Sequence, residues 1–330
     1  MHPLCSAAMR FVYVMDPVDR ILPERDTTFA FQRATQRRGH TSLHCEPRDV
    51  FVQDGDVWAH VRELRVSDSA PHFAFGGVQD VRLAEVECVF IRKDPPFDSE
   101  YLHVTLMLEN LRGRTLVVND PRGLRDANEK LYALHFARHM PRTLVTSDRE
   151  RIHGFVAQVG VAVIKPLDGA GGSGVMVLSQ TDRNTRSIVD YVTREGTRHA
   201  MVQEYLADVR AGDKRVLVLD GEILGAINRI AREDDVRSNI HVGGRVEPCD
   251  VTRQERAIVS DMAPRLVADG LVFVGLDFIG GKLIEVNVTS PTGVQELSRH
   301  LGRDVSDHVF AWVERRVADY RPVLVSIPPA

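Results

Sequence analysis

The sequence predicts a mixed α/β chain (α+β in part), led by a doubly wound sheet domain and followed by hairpin-bearing subdomains. Three observations carry this expectation. From Met9 to Val118, apolar strand patterns alternate with helical ones, as βαβ units do. Residues 88–91 (CVFI) form an uninterrupted apolar run, which a sheet covered on both faces requires. Residues 271–292 (LVFVGLDFIGGKLIEVNVTSPT) alternate apolar and other residues, break at Gly280-Gly281 and resume, which is the pattern of a β-hairpin.

Taken in order, residues 9–15 (MRFVYVM) make a β-branched, aromatic strand ending at Asp16-Pro17. A helix from about 28 to 38 follows, closed by Gly39 where a left-handed cap is favoured. Residues 41–44 read as a strand, and Asp54-Gly55 marks a hairpin within 51–60. A helix over 101–111 and a strand over 116–118 complete a first domain of about 120 residues, an ordinary domain size. Over 124–139, Asp126 with Glu129 suggests a variant capping box, which would place Lys130 in the first turn of a helix. Ser147 with Glu150 suggests a second box for a helix ending near Gly160. Strands are expected at 161–164, 175–178 and 201–206, and a hairpin joins 216–219 to 223–228 through Asp220-Gly221. Thr252 with Glu255 opens the clearest helix, 252–269, whose stripe is Ile258, Val259, Met262, Leu266 and Val267. A final helix over 305–317 carries Val309, Trp312 and Val313 as core. No internal repeat or low-complexity segment is evident.

The bulk numbers narrow the function classes. A chain of 330 residues suggests two or three subdomains, and 43% hydrophobic with 27% charged residues is an ordinary globular balance. A net charge of −4 weighs against a dedicated nucleic-acid binder. The four cysteines, Cys5, Cys45, Cys88 and Cys249, form no CxxC pair. They favour neither a zinc site nor a disulfide framework, and a reducing, cytoplasmic compartment is expected. No apolar run approaches the roughly 18 residues of a membrane span. The opening MHPLCSAA lacks the apolar core of a signal peptide, so residues 1–8 read as a disordered tail or as upstream of an alternative start at Met9.

Asp277, Glu285 and Asn287 interrupt hairpin strands that otherwise read as buried. Buried carboxylates are rare unless paired or metal-bound, and two acids with an amide suit Mg²⁺, which shares oxygen ligands with phosphates. Strand parity tests this reading. A two-residue Gly280-Gly281 turn sets Asp277 against Ile284 and sends Glu285 and Asn287 to the other face. A three-residue turn sets Asp277 against Glu285 and puts all three on one face. The metal reading therefore predicts an odd-numbered loop; the alternative is acids on the solvated face of an edge hairpin.

Lys165 follows a buried strand and precedes a loop with glycines at 169, 171, 172 and 174. Such loops let backbone N–H groups wrap a phosphate, though a flexible turn has the same composition. No Gly-Lys-Ser/Thr follows and the next element reads as a strand, so neither a Walker A loop nor a Rossmann fingerprint fits. The remaining form is a β-hairpin closing over phosphates. Glu204-Tyr205-Leu206 offers backbone groups to an adenine edge. The segment RKDPPFD (92–98) follows the apolar strand 88–91, at the end where open α/β sheets bind ligands. Arg92 there would fix a carboxylate, unless the segment is a Pro-rich turn with solvated charges. The polar stretch 231–247, with Arg232, Arg237 and Arg245, has the length of a functional lid or a solvated loop.

Together these motifs resemble the ATP-grasp ligases, and among them bacterial glutathione synthetase. The residues that carry the likeness are MDP (15–17), RKDPPFD (92–98), RDANEKL (125–131), KPLDGAGG (165–172), GDKRVLVLDGE (212–222), FVGLDFIG (273–280) and EVNVTSPT (285–292). The resemblance implies an ATP-grasp fold divided into residues 9–123 (an N-terminal pre-ATP-grasp domain), 124–202 (a central lid subdomain) and 203–330 (a C-terminal subdomain with the catalytic hairpin). It implies a cytoplasmic, ADP-forming ligase that joins γ-glutamylcysteine to glycine through an acyl phosphate, with no nucleic-acid or membrane partner and assembly as a homotetramer. ATP would be held by Lys130, Lys165, Gly169, Gly171, Gly172, Ser173, Gln203, Glu204, Tyr205, Leu206, Asp213 and Lys214. Two Mg²⁺ ions, replaceable by Mn²⁺, would bind Asp277, Glu285 and Asn287. Arg92, Arg215, Arg229, Arg237, Asn239, Ser290 and Thr292 would surround the peptide and acyl phosphate, with Arg215, Arg229 and Lys165 catalytic. A mobile loop would span about 230–247. Two features depart from the pattern: Ser173-Gly174 lengthens the glycine loop, and Glu233, Asp234 and Asp235 charge the mobile segment. Two other readings stand beside this one, a different ATP-grasp carboxylate–amine ligase and a non-catalytic nucleotide-binding regulator. The metal trio and both lysines weigh against the regulator.

Overall fold

The computed structural model describes residues 8–169, 171–230 and 245–320. The chain divides into two compact units: residues 1–125, 265–273 and 288–330 form the first, and 126–264 with 274–287 form the second. This grouping is not sequential. Residues 203–330, one subdomain in the sequence division, contribute to both units.

The first unit opens with β1 (Arg10–Met15), α1 (Thr27–Arg37), β2 (Thr41–Cys45), β3 (Val50–Gln53), β4 (Asp56–Val66), β5 (Phe73–Arg82), β6 (Cys88–Arg92), α2 (Ser99–Leu108), β7 (Leu116–Val118) and α3 (Pro121–Asp126). Its sheet runs β3-β4-β2-β1-β6-β7, with β5 also paired to β4. The pairs β2-β1, β1-β6 and β6-β7 are parallel, as the strand–helix alternation predicts. Phe11 to Val14 and Cys88 to Phe90 are fully buried, so these strands are apolar on both faces. Tyr13 stacks on Phe90 with centroids 5.0 Å apart. α1 starts where the Asp26 side chain accepts from the Phe29 N–H, and Gly39 beyond its end has φ +77°. Asp54 (φ +51°) and Gly55 (φ +83°) make the expected tight hairpin between β3 and β4. β5 is not foreshadowed in the sequence pattern, because its Gly76-Gly77 interior weakens the strand period.

The second unit contains two sheets. The first comprises β8 (Thr143–Thr146), β9 (Val161–Pro166), β10 (Met176–Ser179) and β11 (Ala200–Glu204), in the order β10-β9-β11-β8. Helices α4 (Arg149–Val159) and α5 (Thr185–Thr193) pack on one face of it, where Ile152, Val156, Ile164, Leu178, Val189 and Val202 form a core. The second sheet comprises β12 (Asp213–Leu219), β13 (Glu222–Ile230), β14 (Arg245–Pro248), β15 (Phe273–Ile279) and β16 (Lys282–Asn287), in the order β14-β13-β12-β15-β16. The pairs β10-β9, β9-β11, β11-β8, β14-β13, β13-β12 and β15-β16 are antiparallel. Helix α6 (Arg253–Ala268) precedes β15, and α7 (Val294–Leu301) and α8 (Ser306–Tyr320) return the chain to the first unit. Val309, Trp312 and Val313 of α8 are buried, as expected.

Three local expectations need correction. The helix over 124–139 is interrupted: α3 ends at Asp126, and a 3₁₀ segment with a kink at Phe136 covers Tyr132–His139. The reason is Asn128, whose side-chain oxygen accepts from the N–H groups of Lys130 (3.2 Å) and Leu131 (3.0 Å). Lys130 thus occupies a turn, not the first turn of a helix. Second, α4 is capped by Asp148, which accepts from the Glu150 and Arg151 N–H groups, so the N-cap lies one residue beyond Ser147 and a simple side-chain cap replaces the expected box. Third, Val267 is 45% exposed and lies off the α6 stripe. The α6 box itself forms reciprocally, with Glu255 N–H donating to Thr252 Oγ1 and Thr252 N–H donating to Glu255 Oε2.

Candidate active site

The β15–β16 hairpin turns through Gly280 (φ +55°) and Gly281 (φ +73°), with Ile279 opposite Lys282. This is the two-residue turn, so the expected odd-numbered loop is wrong. Its parity alone would set Asp277 against Ile284. A β-bulge intervenes after the pair Phe278–Leu283, and Asp277 pairs with Glu285 and Gly275 with Asn287. The extra residue lies in the strand, at Ile284, instead of in the turn. Asp277, Glu285 and Asn287 therefore do share one face.

Asp277, 4% exposed, receives two cations. Arg215 Nε donates to Oδ1 at 2.7 Å and Arg215 Nη2 to Oδ2 at 2.8 Å, a bidentate pair. Arg229 Nη2 approaches Oδ2 at 2.9 Å, and Asn287 Nδ2 donates to the same oxygen at 3.0 Å. Burial pushes the Asp277 carboxyl up, but the Arg215 and Arg229 guanidiniums outweigh it and hold the group well below the usual carboxylate range. Arg229 also donates to Asp213 Oδ2 at 2.6 Å, its cross-strand neighbour on β12. Burial works against the Arg229 charge, and Asp213 with Asp277 more than restores it.

Lys130, buried in its turn, reaches Glu285 Oε1 at 3.0 Å and donates to the carbonyl of Gly169. Lys165, next to last in β9, lies opposite Met201 of β11, on the face turned away from α4 and α5, because its neighbour Ile164 lies in their core. Among the described residues, no hydrogen bond or ion pair engages its ammonium. Burial lowers the Lys165 pKa and Lys130 adds to the effect, while Glu285, Asp213 and Asp277 oppose it. β9 and β10 form the expected hairpin, with Ile164 opposite Met176. Its glycine loop is tight: a Cβ on Gly169 would lie 2.8 Å from the Ser173 carbonyl oxygen, and one on Gly174 (φ +73°) 2.8 Å from Pro166 Cγ. Gly171 and Gly172 also have positive φ, and Ser173 is exposed.

The remaining residues of the expected site are placed less uniformly. Gln203 is buried and donates to Thr143 Oγ1 at 3.1 Å. The N–H groups of Glu204 and Tyr205 bind the carbonyls of Arg142 and Val161, and Leu206 follows at the strand's end. Lys214 is not brought to the cluster. Alternation along β12 turns it from Asp213 and Arg215, and its ammonium binds Glu255 Oε2 and the Asp250 carbonyl, both at 2.9 Å. Arg92, Ser290 and Thr292 belong to the first unit. There Arg92 is 5% exposed, donating to Thr28 Oγ1 and to the Pro291 carbonyl, each at 3.0 Å, with Phe31 and Phe273 rings beside its guanidinium. Burial lowers its pKa. Ser290 and Thr292 flank that Pro291 and are half-buried. Arg237, Asn239 and Arg232 lie outside the described residues, as do residues 1–7 and most of the 230–247 segment. Arg245 is described, and pairs with Glu247.

The donor set fits a divalent cation. Two carboxylates and an amide on one strand face are hard oxygen ligands, and the few protein ligands leave room for phosphate oxygens. Among the described residues no three His, Cys, Asp or Glu side chains gather as a metal site, here or elsewhere, so the set consists of two acids completed by the Asn287 amide. Sequence reasoning missed Asn128, although Asn is a frequent turn former that folds its side chain onto the following backbone.

Residues 9–125 match the model of the prokaryotic glutathione synthetase N-terminal domain, and residues 129–302 match that family's ATP-grasp domain. The chain belongs to the prokaryotic glutathione synthetase family. A glutathione synthetase of Gloeobacter violaceus is 44% identical over 312 residues, covering 92% of this chain and 96% of the relative. One from Synechocystis sp. is 40% identical over 319 residues, covering 93% and 100%. Among solved structures, the D-cycloserine synthetase DcsG superposes with a TM-score of 0.61 at 18% identity, covering 93% of this chain and 99% of that one. The ATP-grasp ligase PsnB, bound to a phosphomimetic variant of its minimal precursor, Mg and ADP, gives 0.62 at 18% identity, covering 93% and 98%. At that identity the structures share the fold alone. Membership in the family makes the chain an ATP-dependent carboxylate–amine ligase that requires a divalent metal. Among the described residues, no helix is long and apolar enough to cross a membrane.

Proposed function

We propose that the chain joins the cysteinyl carboxylate of γ-glutamylcysteine to the amine of glycine through an acyl phosphate, in the presence of Mg²⁺. The observation that carries this is the charge cluster of the second unit. Among the described residues, four cations (Lys130, Lys165, Arg215, Arg229) gather around three carboxylates (Asp213, Asp277, Glu285), and the Lys165 ammonium is engaged by none of them in an ion pair. Phosphoryl transfer needs positioning and neutralisation of charge more than a protein nucleophile, and this cluster supplies both.

A carboxylate is a poor electrophile. In the proposed sequence its oxygen attacks the γ-phosphorus of ATP, the bond to the bridging oxygen breaks and ADP leaves. The glycine amine then attacks the acyl carbon, the amide C–N bond forms, phosphate departs and the amine loses a proton. Lys165 and Lys130 hold the β- and γ-phosphates. Arg215 and Arg229 stabilise charge on the transferring group and on the tetrahedral species. The glycine loop, from Gly169 through Gly171 and Gly172 to Ser173, covers the phosphates and excludes water that would hydrolyse the acyl phosphate. Adenine lies against Gln203, Glu204, Tyr205 and Leu206. Because the first two backbone N–H groups of 204–206 are committed to the sheet, donation to the base falls to Leu206. Asp277, Glu285 and Asn287 would hold the Mg²⁺ ions, which neutralise phosphate charge when bound; Mn²⁺ would substitute. Asp213 acts through Arg229, and Lys214 through its bond to Glu255. Arg92, Ser290 and Thr292, with Arg237 and Asn239, recognise the peptide. The two sheets of the second unit are the proposed ATP-grasp subdomains.

The free cysteines Cys45, Cys88 and Cys249 and a thiol-bearing substrate suit a reducing cytoplasm. The family resemblance extends the proposal to a homotetramer, which light scattering tests. The reaction itself is tested by assaying purified protein for phosphate and glutathione. Phosphate release that requires ATP, Mg²⁺, γ-glutamylcysteine and glycine together supports the assignment. Release without the dipeptide, or equal rates with unrelated dipeptides, contradicts it and favours a different ATP-grasp ligase.

A further inference from the structure

We infer that Asn128 is a positioning residue that aims Lys130 and tethers the base of the glycine loop, so that both engage nucleotide phosphates as one assembly. Every polar group of its side chain is engaged. Oδ1 accepts from the N–H groups of Lys130 (3.2 Å) and Leu131 (3.0 Å), and Nδ2 donates to the Leu167 carbonyl at 3.0 Å. Its own carbonyl accepts from the Tyr132 N–H at 2.8 Å, which begins the 3₁₀ segment. These bonds hold the chain in a turn where a helix was expected.

The consequence is a three-way junction. Lys130 reaches from the turn to the Gly169 carbonyl and to Glu285 Oε1. The adjacent Glu129 carbonyl accepts from the Val286 N–H of β16 at 3.0 Å. Residues 128–130 therefore contact the glycine loop at two carbonyls, Leu167 and Gly169, and the acid-bearing hairpin at two points, Glu285 and Val286. Had the helix continued through this segment, the Asn128 amide would not fold back on its own turn, and the Lys130 side chain would leave the backbone in a different direction. Asn128 touches no reacting atom in this arrangement. It acts through Lys130 and the loop, and its effect is confined to the phosphate end of the nucleotide.

This inference rests on the nucleotide reading above, and its test separates the two. The isosteric Asn128→Asp keeps the acceptor for the Lys130 and Leu131 N–H groups but loses the donor to Leu167. Asn128→Ala loses both. The affinities of Mg·ADP and of adenosine are measured by calorimetry for the parent and each variant, with the KM for γ-glutamylcysteine and the melting temperature measured alongside. A solvent-accessible side chain with three ordinary hydrogen bonds predicts a three- to tenfold weakening of Mg·ADP binding, larger for Asn128→Ala. Adenosine binding and the dipeptide KM stay within twofold. Unchanged Mg·ADP affinity in both variants overturns the inference, and so does an equal loss for adenosine, which marks general unfolding of the site. If the parent binds no Mg·ADP, the nucleotide reading fails first, and the inference with it.

Discussion

Arg215 and Asp277 face one another across β12 and β15 as a bidentate ion pair, 2.7 and 2.8 Å, with both side chains almost fully enclosed. Arg229 closes the other side of the same carboxylate at 2.9 Å. A buried carboxylate that balances two guanidiniums fixes where positive charge stands in the cluster, and it gives that charge a measurable stake in stability.

Replacing Asp277 by Asn preserves shape but leaves two enclosed cations with less compensation. Breaking a buried pair in this way costs about 3–5 kcal/mol, so a drop in melting temperature of several degrees is expected, together with at least a hundredfold loss of turnover. Thermal melts and steady-state assays at saturating Mg²⁺ check both. Near-normal turnover would remove Asp277 from the site.

The same pair predicts an acid limit. Asp277 has a folded-state pKa depressed below its unfolded value of roughly 3.9. Its contribution is fully present above that value and is lost as pH falls through the folded one. In denaturant titrations, the parent should lose stability from about pH 4 downward more steeply than the Asp277→Asn variant. Parallel profiles would show that the pair contributes little.

Lys165 runs the other way. Its folded-state pKa lies below the unfolded value, so the charged ammonium opposes folding at neutral pH and the penalty fades as pH rises toward the unfolded pKa. Lys165→Met should therefore raise the melting temperature of the ligand-free protein at pH 7 while abolishing turnover. Function and stability are opposed at this position. A destabilised variant, or one with normal turnover, contradicts that account.

Gly169→Ala introduces a Cβ 2.8 Å from the Ser173 carbonyl oxygen, too close to be accommodated without moving the loop. The expected result is a KM for ATP raised about tenfold, the equivalent of 1.4 kcal/mol of lost binding, with the KM for glycine unchanged. Initial-rate kinetics with each substrate varied in turn test this.

Much of this site is legible in the sequence because its residues violate local pattern. Asp277 and Glu285 interrupt apolar strands, and Lys165 follows a buried run just before a loop with glycines at 169, 171, 172 and 174. The register that brings Asp277 to Glu285 was not legible: a bulge at Ile284 depends on how β15 and β16 fit the rest of their sheet, and turn residues alone point to the opposite face. The turn at Asn128 escapes the sequence pattern for a related reason. Helix propensity and a nearby acid pair favour continuation, while one side-chain amide, folded back on the backbone, stops it. The separation of Lys214 from Arg215 was available in the strand alternation of Asp213-Lys214-Arg215. In the first unit, the parallel strands announced themselves by continuous burial, whereas β5, exposed along most of its length and glycine-rich, left no period to detect.

If ATP passes its phosphoryl group to the substrate carboxylate before the amide forms, one carboxylate oxygen leaves with the phosphate. γ-Glutamylcysteine carrying ¹⁸O in the cysteinyl carboxylate makes that oxygen visible. Mass analysis of the inorganic phosphate released in a complete reaction with Mg²⁺, ATP and glycine should find one labelled oxygen per phosphate, carried over when the acyl phosphate is cleaved by the amine. Glutathione formed with no label in the phosphate would contradict the account.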